Sequence, residues 1–292
     1  MNPRVEYLAG KTGREAQQQL FEDMVAFLDE LPPDSDLQIT KHKDFLFCFE
    51  ACRLLIVRNM LLACGLKPED QMEILDFGYL HGLFQEFVHR FFPQARFTVC
   101  DRPGSPIFSD EAYLKIIRRR NYLTLTPRDI NDLDENMGGP YRVVLLGEII
   151  EHLDPTRAME ILGKLRKLVL PGGVLIVTTP NAGGLYNCYM TLRDKGPVQV
   201  APIPDPMVGV GHIHLWSERT LRETAEYVGW SLKDIQYYHG REGEMFVGVR
   251  RKWLGFKAQI LLRGIEFLAN RTPKLRGFFV ASFTAKGPAT KN

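Results

Sequence analysis

Glu73-Ile74-Leu75-Asp76-Phe77-Gly78-Tyr79-Leu80-His81-Gly82 decides how the rest of the chain is read. A short apolar run, Ile74 and Leu75, ends in an acid, Asp76. Gly78 and Gly82 follow, and Leu83, Phe84, Phe87, Val88 and Phe91 then recur at helical spacing. Strand, glycine turn, helix is the opening of a nucleotide-binding α/β unit, because glycine reaches positive φ and lets backbone come close to a ligand. The spacing predicts a strand over 72–77 and a helix over 82–92, stopped by Pro93.

Downstream, the same alternation continues. Strands are expected at 96–100, 122–125, 141–146 and 174–179, with helices at 109–120 and 154–169 between them. Asp154 stands at the N-cap position of the last helix and Pro155 at its first turn. Pro171-Gly172-Gly173 reads as a turn into the fifth strand. An insertion, 182–211, leads to a helix at 217–228, and strands at 232–238 and 277–285 complete the pattern. Five βα units followed by two late strands imply a mainly parallel sheet with helices on both faces. Upstream, 15–30 and 44–64 have helical periodicity, the second apolar on nearly all sides and therefore buried. Two helices cannot bury that much apolar surface alone. Residues 1–70 are accordingly expected to form a helical cap on a domain spanning 71–292.

Composition narrows the class. Of 292 residues, 45% are hydrophobic and 25% charged, the balance of an ordinary globular protein. A net charge of +2 gives no general case for nucleic-acid binding. Cys48, Cys52, Cys64, Cys100 and Cys188 form no CxxC pair and read as free thiols in a reducing compartment. The first thirteen residues lack a basic-then-apolar signal, and Glu50, Arg53, Arg58 and Asn59 interrupt the most apolar stretch, 45–66. A cytoplasmic protein is expected.

Four stretches together resemble the class I S-adenosylmethionine (SAM) methyltransferases, over about residues 72–285. The 76–82 turn resembles their Asp-x-Gly-x-Gly-x-Gly motif, with Leu80 in place of the middle glycine. Gly147-Glu148-Ile149-Ile150-Glu151-His152-Leu153 resembles the Glu-x-x-Glu-His-Leu signature of the broad bacterial group that includes ubiquinone-biosynthesis enzymes. Leu170 to Asn181 resembles that group's Pro-Gly-Gly strand and Thr-Pro-Asn exit. Gly211-His212-Ile213-His214-Leu215-Trp216-Ser217 resembles its lead into the late helix. The resemblance implies a Rossmann-like α/β fold with a seven-stranded, mainly parallel sheet, SAM as cofactor, and methyl transfer as the activity.

It also implies roles. Asp76, Gly78, Gly82 and Gly147 would surround the amino-acid half of the cofactor, a zwitterion plus a sulfonium that needs carboxylates and backbone groups at close range. Asp101, ending the second strand, would accept the ribose hydroxyls; a turn or N-cap acid is its alternative. Asp129 would take the adenine amine, with Asp132 as competitor and a solvated acid as alternative. Because the leaving group is already activated, the protein has chiefly to position donor and acceptor and to take a proton. His152 and His212 are the candidate bases, since imidazole titrates near neutrality, and Glu148 directly follows the fourth strand. Each histidine has a structural alternative: packing beneath the 154–169 helix for His152, a loop-ordering hydrogen bond for His212. His214 reads as structural. Glu148, Glu151, His152 and His212 also resemble the metal-binding set of small-RNA 2′-O-methyltransferases. Metal-free relatives share that motif, however, and Arg118, Arg119 and Arg120 alone make no RNA platform. No metal and no nucleic acid are therefore expected.

Two segments should select the acceptor, read as a small molecule, a sugar or a lipid-linked compound and as an oxygen nucleophile. One is the insertion 182–211. The other, 250–276, interleaves eight Lys or Arg residues with Trp253, Phe256 and Phe267 against a single acid, Glu266. It reads either as an amphipathic helix giving peripheral contact with the inner face of a membrane or as a packed helix with a basic rim. From a different class comes the alternative of a non-catalytic scaffold with the same fold, for which Leu80 is the motive.

Overall fold

The structure is a computed structural model in which residues 8, 13–29, 49–79, 82–109, 111–134, 137–185, 187–188, 211–238, 264, 267–269 and 271–286 are described. Leu80, most of the 182–211 insertion and most of the 250–276 segment lie outside them. Strand β1 (Met72–Phe77) is buried at every position except Glu73, as expected of a strand covered on both faces. It pairs in parallel with β2 (Ala95–Asp101) on one side and β4 (Tyr141–Gly147) on the other. With β3 (Leu123–Pro127), β5 (Val169–Pro180), β6 (Trp230–Tyr238) and β7 (Phe278–Ala285), the sheet runs β3-β2-β1-β4-β5-β7-β6. Only β7 is antiparallel to its neighbours. The strand order reverses between β1 and β4, which places the ligand crevice of an open α/β sheet at their carboxyl ends.

The helices follow from alternation along the strands. Ile74, Val143 and Ile176 point to one face, where they join a core with Leu20 and Met24 of α1 (Gly13–Asp29), Leu54 and Val57 of α2 (Ala51–Ala63), and Phe87 of α3 (Leu83–Phe91). Leu75, Val144 and Leu175 point to the other. There they meet Ile161 and Leu165 of α5 (Pro155–Leu168) and Leu221 of α6 (Glu218–Tyr227). Between β2 and β3 lies α4 (Glu111–Arg118). The two N-terminal helices thus share one core with the sheet face they cover. Asp154 caps α5 through hydrogen bonds from the Thr156 and Arg157 N–H groups, both 3.0 Å.

One boundary differs from the sequence expectation. Pro171-Gly172-Gly173 does not separate α5 from the fifth strand; β5 begins at Val169 and passes through it, with a register shift opposite Tyr141 and Val143. Positive φ at Gly172 (71°) absorbs the irregularity as a bulge inside the strand instead of a turn before it.

Candidate cofactor and acceptor site

Register brings the predicted acids to one edge. Asp76 is paired with Val99 and Leu145, so Phe77, Asp101 and Gly147 end their strands side by side, and Asp129 leaves β3 just beyond Pro127. Asp76 is 1% exposed and accepts a 2.7 Å hydrogen bond from Gln85 Nε2. Burial pushes its carboxyl up to about 7, although Gln85 opposes the shift. The same Gln85 amide nitrogen donates to the Gly78 carbonyl at 3.2 Å, while Gln85 Oε1 is buried without a partner among the described residues. Gly78 stands at φ 86°, with its N–H on the Cys100 carbonyl, and the next amide, of Tyr79, donates to Asp101 Oδ2 at 2.8 Å. The glycine turn is therefore fastened to both β1 and β2.

Gly82 has a use that sequence reasoning missed. A Cβ there would fall 2.3 Å from the Tyr79 hydroxyl and 2.7 Å from Arg120 Nη1. Tyr79 is turned inward and fully buried, and its hydroxyl accepts from Arg120 at 2.8 Å. Packing of the protein against itself thus already requires this glycine, at φ 75°. Asp129 likewise serves its own loop: one carboxylate oxygen, Oδ1, accepts from both the N–H and the side-chain amide of Asn131 and caps the turn at Ile130–Asp132.

Around the end of β4 a second cluster forms. Glu148 has φ 53°, in the left-handed region that non-glycine residues seldom enter. Its N–H donates to the Thr178 carbonyl at 3.0 Å, and the Thr178 hydroxyl donates to Glu148 Oε1 at 2.8 Å. Glu151, completely buried, accepts from the Thr179 hydroxyl at 3.1 Å. The carboxyls of Glu148 and Glu151 are close enough to act on one another. Burial raises both above the ordinary range, and the Glu148 charge raises Glu151 further. Two such acids resist being ionised together. The His152 and His212 rings meet edge to face, with centroids 4.9 Å apart. His152 Nδ1 lies 3.2 Å from the Gly211 carbonyl oxygen, and His212 Nε2 lies 4.0 Å from Glu151 Oε1. One ligand atom from each of Glu151, His152 and His212 falls within 4.8 Å of the others, so sixty residues of intervening chain bring together a set that could hold a cation. His214 packs against the edge of Trp216, and burial lowers its pKa.

Also missed by sequence reasoning is Arg53. From α2 its guanidinium reaches Gly147, where a Cβ would stand 3.7 Å from Nη1. Periodicity marked Arg53 only as an interruption in an apolar helix, and no local signal tied it to a strand end ninety-four residues away.

A family model described as a methyltransferase domain matches residues 48–234, well over half of the chain, and the protein belongs to that family. SAM is the cofactor that membership implies. The buried Asp76, the positive-φ Gly78 turn and Asp101 fit such a ligand, with a carboxyl, a close backbone approach and a second carboxylate at one strand edge. No curated protein matches the sequence significantly. Solved structures share the fold at low identity. A candidate sarcosine dimethylglycine methyltransferase from Galdieria sulphuraria has a TM-score of 0.51 at 16% identity, covering 81% of this chain and 86% of its own. For the candidate methyltransferase in a complex with the Haloferax volcanii activator Trm112, the values are 0.51, 13%, 79% and 90%. For SpnF, a [4+2]-cyclase, they are 0.52, 11%, 95% and 98%.

Proposed function

We propose that the protein transfers the methyl group of SAM to an oxygen of a small-molecule, sugar or lipid-linked acceptor. The observation that carries this is the meeting of His152 and His212 beside the strand edge that holds Asp76, Gly78 and Asp101. When bound, SAM supplies a methyl group already activated on a sulfonium. The chain's own work is then positional and protonic. Asp76 and the Gly78 turn hold the amino-acid half, and Asp101, with one oxygen on Tyr79, offers the other to the ribose. Asp129 keeps Oδ2 for the adenine amine. His152 or His212 takes the acceptor proton, a task suited to imidazole near pH 7. Glu148 braces the end of β4 next to Gly147.

Domain organisation follows the same proposal: a cap over residues 1–70, a catalytic domain over 71–292, and acceptor selection by 182–211 and 250–276. No helix among the described residues is long and apolar enough to cross a membrane. We place the protein in the cytoplasm, with peripheral membrane contact through 250–276 where the acceptor is lipid-linked. Nucleic acid is not a proposed partner.

Asp101→Ala tests the cofactor site. Loss of the ribose hydrogen bonds to a charged acceptor, at about 1.5–3 kcal/mol, should weaken SAM binding at least about tenfold in calorimetry while the melting curve stays cooperative. Unchanged affinity in the folded variant would refute the assignment. A second reading is favoured by the convergence of Glu151, His152 and His212: a divalent cation there would polarise the acceptor hydroxyl in place of a histidine base. A cyclase on the same fold shows that architecture alone does not dictate methyl transfer, and the scaffold alternative falls with turnover of any acceptor.

A further inference from the structure

Tyr238, the last residue of β6, is 3% exposed, and its hydroxyl is buried with no hydrogen-bond partner among the described residues. Other inward-turned tyrosines each have one: Tyr79 bonds Arg120, Tyr122 bonds Glu86 and Tyr141 bonds the Met137 carbonyl. Leaving a buried hydroxyl unpaired costs free energy, so this one calls for a partner from outside the chain. The rings of Phe49 and Phe278, with centroids 5.5 and 5.7 Å away, hold the Tyr238 ring in place. Register sets its level. Thr178 lies opposite Gly147, whereas Pro180 and Tyr238 both lie opposite Phe278, two places further toward the carboxyl edge. Tyr238 shares the sheet face of Val143 and Ile176, the face from which the Thr178 hydroxyl reaches Glu148. Glu148, Arg53, Glu50 and Glu151 are all near enough for their charges to act on the Tyr238 hydroxyl. Burial, with the Glu148 charge next, holds its pKa well above the ordinary range, so it keeps its proton.

We propose that Tyr238 is an acceptor-binding residue, its hydroxyl engaging an oxygen of the acceptor where the methyl group is delivered. This inference rests on the SAM reading given above. Glu148 has the Asp76 edge on one side, where the cofactor's amino-acid half is assigned, and Tyr238 on the other. In the strand order β4-β5-β7-β6, three steps of about 4.8 Å separate Tyr238 from the end of β4. The hydroxyl thus approaches Glu148 from the side away from the cofactor's strands. Both segments assigned to acceptor selection leave the sheet here: 182–211 follows the end of β5 at Pro180, and 250–276 lies between Tyr238 and Phe278. An acceptor rich in oxygen pairs with the hydroxyl, whereas a hydrocarbon in its place would leave the group stranded. A tyrosine kept only to fill the core would be replaced by phenylalanine with no effect on any ligand.

Tyr238→Phe removes the hydroxyl and keeps the ring. The probes are S-adenosylhomocysteine, which lacks the methyl group, and sinefungin, in which a carbon bearing an amine replaces the sulfur bearing the methyl. Sinefungin therefore puts a charged hydrogen-bonding group where the methyl group is delivered. The expected result is a loss of sinefungin affinity of about tenfold or more in calorimetry, with S-adenosylhomocysteine bound as before. The urea midpoint of Tyr238→Phe should match or exceed that of wild type, because no bond within the chain is lost. Tyr237→Phe supplies the contrast: its hydroxyl donates to Glu218, so the midpoint should fall while both ligands bind unchanged. Equal losses for the two ligands on Tyr238→Phe, or no loss for either, overturn the role of Tyr238 and leave the cofactor site standing. A wild-type protein that binds neither ligand overturns both.

Discussion

The Thr178 hydroxyl donates to Glu148 Oε1 at 2.8 Å while the Glu148 backbone is held at φ 53°. A side chain on β5 thus secures a residue whose own backbone conformation is costly. Left-handed backbone costs a residue with a Cβ about 1 kcal/mol and costs glycine almost nothing. Glu148→Gly should therefore be more stable than Glu148→Ala by about 1 kcal/mol in urea denaturation, although both lose the same hydrogen bond. An alanine variant as stable as the glycine variant would show that the strain is not present in solution.

Asp76 makes stability fall with rising pH. Its folded value of about 7 lies above the ordinary 3.8 because the carboxyl is buried. An acid raised on folding contributes stability that is complete below about pH 4 and is lost as pH climbs through 7. At about 1.4 kcal/mol per pH unit, the gap corresponds to about 4 kcal/mol. Asp76→Asn lacks this titration. Relative to wild type it should gain stability between about pH 4 and pH 7 in parallel denaturant titrations and level off above pH 7, while losing affinity for SAM. A difference independent of pH would mean that Asp76 is ionised when folded at every pH tested.

Gly82 and Tyr79 should behave as a coupled pair. Gly82→Ala meets both the Tyr79 hydroxyl and a positive φ, for a cost of about 2–4 kcal/mol. Once Tyr79→Val has emptied that space, the added cost of Gly82→Ala should fall to about 1 kcal/mol of backbone strain. If the cost is the same in both backgrounds, the glycine is required by something other than Tyr79.

Glu151, His152 and His212 allow a direct test of the cation reading. Mn²⁺ or Co²⁺ at a hundred times its dissociation constant should add about 2.7 kcal/mol to the stability of the native state. His212→Gln should abolish that gain without lowering stability in the presence of a chelator by more than about 1 kcal/mol. A melting temperature indifferent to metal leaves the histidines as proton acceptors.

The sequence alone determined what depends on neighbours along the chain. The Ile74-Leu75 run, the Gly78 turn and the helical recurrence from Leu83 to Phe91 are local patterns, because strand and helix periods are properties of short segments. They were enough for seven strands, for the order of units and for the acids at the carboxyl ends of β1 and β2, Asp76 next to last in β1 and Asp101 last in β2. Pro171-Gly172-Gly173 was misleading because glycine marks a bulge as readily as a turn, and pairing with β4 chooses between them. Only tertiary structure could decide which side chains converge. His152 and His212 are joined by chain closure across sixty residues, and Arg53 reaches Gly147 from a helix whose periodicity signalled only burial. Nor could spacing reveal that Tyr79 turns inward and takes the room Gly82 leaves, since that depends on Arg120 beyond the next strand. Backbone preference is written residue by residue, whereas the partners of a buried charge are supplied by whatever the fold brings beside it.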